Sequence, residues 1–246
     1  MEWASKTDIG RIRSKNEDSL YVDQKHMRIF IVADGMGGHN AGEVASKMAI
    51  EQVSESIKNK FDSISTNDEA QIKRVIEDAI YKGNKEIYNQ SLSHNSWDGM
   101  GTTITMALFI DHRLYFAHVG DSRAYMLRQK ELTQLTEDHT LVSELMKNGS
   151  ITEVEAKTHP KRNVITKALG TEISPIPDIL SVDVDDGDVI ILCTDGLTNM
   201  VDNYLIKNSF LNNSNLQDSC DFLVDEANNR GGFDNITLIA IRYRHS

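Results

Sequence analysis

The sequence predicts an α+β domain in which antiparallel sheets are covered by helices. Three observations carry this reading. Strand-like apolar runs come in blocks, two amphipathic helices follow one another without a strand between them, and strict strand–helix–strand alternation is scarce, which disfavours a doubly wound sheet. With 246 residues, 39% of them hydrophobic and 26% charged, the chain has the length for one large core and too mixed a composition for disorder.

In chain order, the first clear strand is the run Ile29-Phe30-Ile31-Val32-Ala33, which delivers Asp34 to its end, and three glycines crowd the turn beyond it. From Ala41 to about Lys60, Ala45, Ala49, Ile50, Val53 and Ile57 recur at helical spacing. From Asp68 to about Gln90, Ile72, Val75, Ile76, Ala79 and Ile80 do the same, with lysines and glutamates on the other face. These two helices are predicted to pair antiparallel on one sheet. After Gly99 come short strands, Thr102 to Ile110, Arg113 to Val119 and Ser122 to Leu127, parted by Asp111-His112 and Gly120-Asp121 turns as in a meander. The stretch 136–170 is polar, with short helical pieces at 141–147 and 153–157, and reads as a surface lobe. Strands return at Ile179 to Val184 and Val189 to Thr194, followed by a helix near Asn215 to Asn229 and a last strand from Asn235 to Tyr243.

Composition narrows the function. No apolar run approaches the roughly 18 residues of a membrane span, and the start, Met1-Glu2-Trp3-Ala4-Ser5-Lys6, has no signal-peptide pattern. A cytoplasmic protein without membrane association is expected. The two cysteines, Cys193 and Cys220, have neither a disulfide frame nor metal-type spacing. A net charge of −11 disfavours nucleic-acid binding and leaves two readings, a solvated acidic surface or carboxylates gathered around cations.

Position favours the second. Asp34 is not alone at a strand end: Asp121 follows "LYFAHVG", Asp195 follows "VIILCT", Asp234 precedes "NITLIAIRY", and Glu17 with Asp18 precedes "SLYV". One aspartate beside a glycine is ordinary turn chemistry, but several could converge as oxygen ligands for hard divalent cations such as Mg²⁺ or Mn²⁺. Competing motifs fail. The dinucleotide fingerprint begun by Gly35-Met36-Gly37 meets Asn40 where it needs glycine, and no Gly-Lys-Ser/Thr phosphate loop exists. "VDVDDGDV" has Val182 and Val184 where a calcium loop needs acids. Cysteine-phosphatase spacing finds Asn199 and Glu226 in place of arginine, and no His-Glu-x-x-His occurs.

The stretches "TDIGRIRSKNEDSL", "VADGMGGHNAGEVAS", "GMGTT", "HVGDSRAY", "LTEDHTLVSELMKNGSIT", "HPKRNVITKALG", "LCTDGLTNMV" and "GGFDNITLIAI" stand in one order along nearly the whole chain. In them the sequence resembles the metal-dependent serine/threonine phosphatases of type 2C, the PPM family, in their compact bacterial form. The resemblance implies a single domain over 1–246: two stacked antiparallel sheets with a helix pair on each outer side, a metal cleft at one end, and the lobe 136–170 as a flap. It also implies that Asp34 bridges two Mn²⁺ or Mg²⁺ ions and that the Gly35 carbonyl ligates one of them. Asp195 and Asp234 would complete the other, with Asp18 and Glu17 acting through bound water and Asp121 with Asp195 holding a third ion. Arg13 would grip the substrate phosphate.

The implied reaction is direct attack on phosphoserine or phosphothreonine by hydroxide bridging the two ions, reversing a cellular serine/threonine kinase. Relatives in animals carry a histidine after Asp-Gly as general acid. This chain has Met36 there, which leaves His39, or metal-bound water, to protonate the leaving group. Phosphorylated proteins are the expected partners of a monomer. A phosphoprotein-binding regulator without hydrolysis would have lost a metal aspartate, and Asp18, Asp34, Asp121, Asp195 and Asp234 are all present. A nucleotide-type phosphoesterase has no evident base-stacking site to support it.

Overall fold

A computed structural model of the chain describes residues 1–37, 41–61, 65 and 68–244. Its elements are β1 (Glu2–Asp8), β2 (Asp18–Asp23), β3 (Ile29–Met36), α1 (Ala41–Phe61), α2 (Glu69–Ser93), β4 (Gly101–Thr102), β5 (Ile104–Ile110), β6 (Arg113–Val119), β7 (Arg123–Arg128) and β8 (Glu131–Gln134). Then come α3 (Leu141–Lys147), α4 (Glu153–Thr158), β9 (Asp178–Asp183), β10 (Val189–Cys193), α5 (Asp195–Thr198), α6 (Asn203–Asn212), α7 (Leu216–Asn229) and β11 (Ile236–Arg242). Two antiparallel sheets result, one ordered β1-β11-β10-β7-β8 and the other β2-β3-β5-β6-β9 with β4 beside β3.

The two-residue period of a strand explains the layering. In β3, Ile29, Ile31 and Ala33 pack under α1 and α2, whereas Phe30 and Val32 face the other sheet. In β10, Val189, Ile191 and Cys193 pack under α6 and α7, whereas Ile190 and Leu192 face inward. The layer between the sheets therefore collects Phe30, Phe109, Phe116, Met126, Ile190, Leu192, Ile239 and Ile241. Strands buried on both faces read as unbroken apolar runs, which is why β3, β5 and β10 were legible. The two helix pairs cover the outer faces, giving helix, sheet, sheet, helix.

Three elements had no signal of that kind. β1 buries only Ala4 and lies at a sheet edge, paired among the described residues only to β11. β8 alternates exposed and half-buried residues at the opposite edge. α6 buries only Ile206, Ser209 and Phe210, and its start is set by Asp202, whose Oδ1 accepts the Leu205 N–H at 2.8 Å. The predicted strand from Thr102 is interrupted at Thr103, for a reason that lies in the site. Both cysteines are buried free thiols, and burial pushes each up to about 12. Among the described residues no helix is long and apolar enough to cross a membrane.

Candidate active site

The strand period that builds the core also builds the site. Asp34 has the parity of Phe30 and Val32, and Asp18 that of Leu20 and Val22, so both carboxylates continue the inter-sheet face to its end. They are register partners across β2 and β3. Thr194 extends the inward set of β10 and leads into Asp195, and Asp234 stands just before β11. Asp121 occupies the turn between β6 and β7. One end of the sandwich thus receives carboxylates from both sheets.

Hydroxyl and amide side chains fix them. The Asp34 N–H donates to Thr103 Oγ1 at 2.9 Å, and Thr102 Oγ1 donates to the Asp34 carbonyl at 2.9 Å. Thr103 Oγ1 also meets Ser122 Oγ at 2.8 Å, so the break between β4 and β5 frees a hydroxyl to hold Asp34. Thr194 Oγ1 donates to Asp18 Oδ2 at 2.9 Å and accepts the Thr237 N–H at 3.0 Å, tying the sheets together. Asn199 Nδ2 donates to Asp195 Oδ2 at 2.9 Å. Asn235 Nδ2 donates to the carbonyls of Ile9 and Lys15, while its Oδ1 accepts the Glu17 N–H, so one side chain anchors the loop bearing Arg13. Sequence reasoning missed these residues. Their signal was adjacency to the aspartates in the motifs, with nothing in spacing to tell a tether from a turn residue.

Arg13 Nη2 donates to Asp234 Oδ2 at 2.8 Å. Among the described residues it forms no ion pair with Glu17, whose nearby charge still favours the guanidinium. Burial disfavours the Arg13 charge, but Asp234 outweighs it and raises the guanidinium above its usual value. Gly35 is required by sterics: a Cβ there would collide with the Gly42 carbonyl and stand 2.7 Å from that of Glu17. The bare main chain lets β3, the loop before β2 and the start of α1 converge.

Arg13, Glu17, Asp34, Gly35, Asp121, Asp195 and Asp234 line one cleft of about 520 Å³, with Met36, Asn199 and Met200 beside them and Arg162, Asn163 and Ile165 facing them from the flap. Asp18 is buried beneath. A groove of about 950 Å³ between the flap and the start of α6 shares Asp121, Asp195 and Arg162 with the cleft. His39 lies outside the described residues.

The electrostatics ask for cations. Burial pushes Asp34 well above the usual carboxylate range, and Asp18, Asp195, Asp121 and Asp234 add to the shift. Burial first, then like charge, pushes Asp18 up to about 7 and Asp121 up to about 8, and raises Asp195. Burial also raises Glu17. Asp18 Oδ1, Asp121 Oδ1 and Asp195 Oδ1 are buried without a protein donor among the described residues. Hard divalent cations suit such oxygens. No three Asp, Glu, His or Cys side chains among the described residues already form a finished ligand cage. An ion that keeps several waters needs none.

Similarities to known proteins agree with this chemistry. The chain is 40% identical over 238 residues, 96% of its length and 93% of the relative's, to the serine/threonine phosphatase stp of Listeria monocytogenes serotype 4b. It is 36% identical over 244 residues to the protein phosphatase PhpP of Streptococcus pneumoniae, covering 98% of this chain and 97% of that one. Among solved structures, the Mycobacterium tuberculosis serine/threonine phosphatase PstP/Ppp superposes with a TM-score of 0.90 at 36% identity, covering 99% of both chains. The catalytic domain of PstP in complex with two manganese ions does so with a TM-score of 0.86 at 35% identity, over 99% of this chain and 98% of that one. Residues 11–231, spanning the carboxylates from Glu17 to Asp195 and Arg13 with them, match the family description Protein phosphatase 2C, and the chain belongs to that family.

Proposed function

We propose that the chain is a metal-dependent phosphatase that hydrolyses phosphoserine and phosphothreonine in proteins. One observation carries the reading: carboxylates from both sheets meet at one end of the sandwich, with buried oxygens that find no protein donor among the described residues and a tethered arginine beside them. In this reading Asp34, the Gly35 carbonyl, Asp195 and Asp234 would hold two Mn²⁺ or Mg²⁺ ions, Asp18 and Glu17 would act through water, and Asp121 with Asp195 would take a third. When bound, such ions lower the pKa of water and offset charge on the phosphoryl group.

The chain's own residues do the rest. Arg13, aimed by Asp234, offers a planar fork to two phosphoryl oxygens and fixes the phosphorus for in-line displacement. Asn235 keeps the Arg13 loop from drifting, and Asn199 orients Asp195. The flap residues Arg162, Asn163 and Ile165 form the opposite wall and limit access of bulk water. The described lining contains no imidazole, which leaves the proton for the departing alkoxide to His39 or to water. The domain spans 1–246 with its flap at 136–170, acts as a monomer in the cytoplasm, and reverses a serine/threonine kinase. A binding role without hydrolysis finds no support, because none of the five aspartates is lost.

The test is phosphate release from a phosphothreonine peptide with and without Mn²⁺, comparing the wild type with Asp34→Ala. Release should require the metal and fall about 10²–10³-fold or more in the variant. A folded, metal-loaded wild type that releases no phosphate from several phosphopeptides would overturn the reading.

A further inference from the structure

We infer that Phe233 is a specificity-determining residue, an aromatic platform for an apolar side chain next to the phosphorylated residue of the substrate. The inference rests on the phosphatase reading and adds to it a preference among phosphopeptides. Phe233 is 61% exposed, yet it lines the cleft. It immediately precedes Asp234, the partner of Arg13. An exposed phenylalanine one residue from the phosphate-gripping pair stands where the neighbours of a bound phosphoresidue pass, since a chain advances about 3.3–3.6 Å per residue.

The ring is held in that position by its loop. Gly231 and Gly232 have φ of +132° and +50°, conformations that side chains resist. A Cβ on Gly231 would stand 2.7 Å from the Phe233 ring, so the ring rests on bare main chain. The Gly231 and Gly232 N–H groups donate to the carbonyls of Asn228 and Ala227 at 3.2 and 3.0 Å. The Gly232 carbonyl accepts the Arg11 N–H at 2.7 Å, which joins this loop to the one bearing Arg13. A surface so anchored loses little freedom on binding. Met200 lines the same cleft, and its carbonyl accepts from Arg230 Nη1 at 3.2 Å, so both apolar rim residues belong to tethered loops. Its flexible thioether adapts to differing neighbours. The cleft therefore joins a charged floor for the phosphate to an apolar edge for the adjoining side chain.

The experiment uses the full chain with Mn²⁺ and three phosphothreonine peptides that differ only in carrying Leu, Ser or Arg beside the phosphothreonine. p-Nitrophenyl phosphate, which has no neighbours, normalises each variant. Covering on the order of 50 Å² of apolar surface gives about a tenfold preference in kcat/KM for Leu over Ser, expressed mainly in KM. Phe233→Ala should bring that ratio near unity, and Phe233→Tyr should retain it. A wild type without the preference, an equal gain from Arg, or a folded Phe233→Ala that keeps the ratio would overturn the inference. Failure of the phosphatase reading looks different, with no turnover of any substrate. In that case phosphopeptide affinity by fluorescence polarisation decides the role of Phe233, and equal affinity for the Leu and Ser peptides overturns it.

Discussion

Arg13 and Asp234 form an ion pair with half-exposed partners, so its net contribution to stability is small and its value is geometric. The carboxylate presets a guanidinium that a free loop would leave to wander, and a bidentate fork fits two phosphoryl oxygens where an ammonium fits one. Two substitutions separate charge from shape. Arg13→Ala should lower kcat/KM for a phosphothreonine peptide by about 10²-fold, and Arg13→Lys should recover less than about tenfold of that. Steady-state kinetics with p-nitrophenyl phosphate as a second substrate checks it, because loss on both substrates assigns the effect to the phosphate. Full recovery by lysine would show that charge alone suffices there.

At the scale of elements, the flap is joined to the site through His139. Its main-chain N–H donates to the Gly120 carbonyl at 2.7 Å, its Nδ1 accepts the Gly120 N–H at 3.1 Å, and its carbonyl accepts the Thr166 N–H at 2.8 Å. Both roots of the flap are thereby fastened to the turn that carries Asp121. His118 stacks on the ring with centroids 4.9 Å apart, and Arg123 adds a fork to Asp138, with Nη2 at 2.6 Å from Oδ2. His139→Ala strands the buried Gly120 N–H and should lower unfolding free energy by at least about 2 kcal/mol. It should also weaken Mn²⁺ binding at Asp121. His139→Asn, whose Oδ1 can stand near the lost Nδ1, should restore most of both, as denaturant unfolding and a calorimetric Mn²⁺ titration would reveal. From composition and spacing, the segment around His139 reads as a polar lobe and the resemblance makes it a flap, but the tether through His139 depends on contacts to a turn distant in the chain. Asp34 was legible for the opposite reason: a carboxylate closing an apolar strand conflicts with its own surroundings, and such conflicts mark function. β1 and α6 bury too little apolar surface to leave a pattern, and the tethers at Thr103, Thr194 and Asn235 exist only once the sheets have met.

For the whole molecule, the meeting of two sheets at a ring of carboxylates couples folding to protons and to metal. Burial and mutual repulsion push Asp18 up to about 7 and Asp121 up to about 8, against about 3.9 for an unfolded aspartate. Between those limits the folded chain binds more protons than the unfolded one, so these groups make stability fall as pH rises, with the full penalty reached above the folded values. His118 acts oppositely at lower pH. Burial, with His139 nearby, takes it down to about 4, so its contribution is lost as pH falls below its unfolded value of about 6.5. Above about pH 6.5 the carboxylates act without that opposing contribution. The metal-free chain should therefore melt at a lower temperature at about pH 8 than at about pH 6.5. Cations that bind only the folded state stabilise it by about 2.7 kcal/mol at a hundred times Kd. They also discharge the penalty, so Mn²⁺ should raise the melting temperature more at the higher pH and release protons as it binds near pH 6.5. Thermal melts in EDTA and in Mn²⁺ at both pH values, with proton release followed in weak buffer, make the comparison. A metal-free melting temperature that climbs through this window would show that the carboxylates at the sandwich end are not under mutual strain.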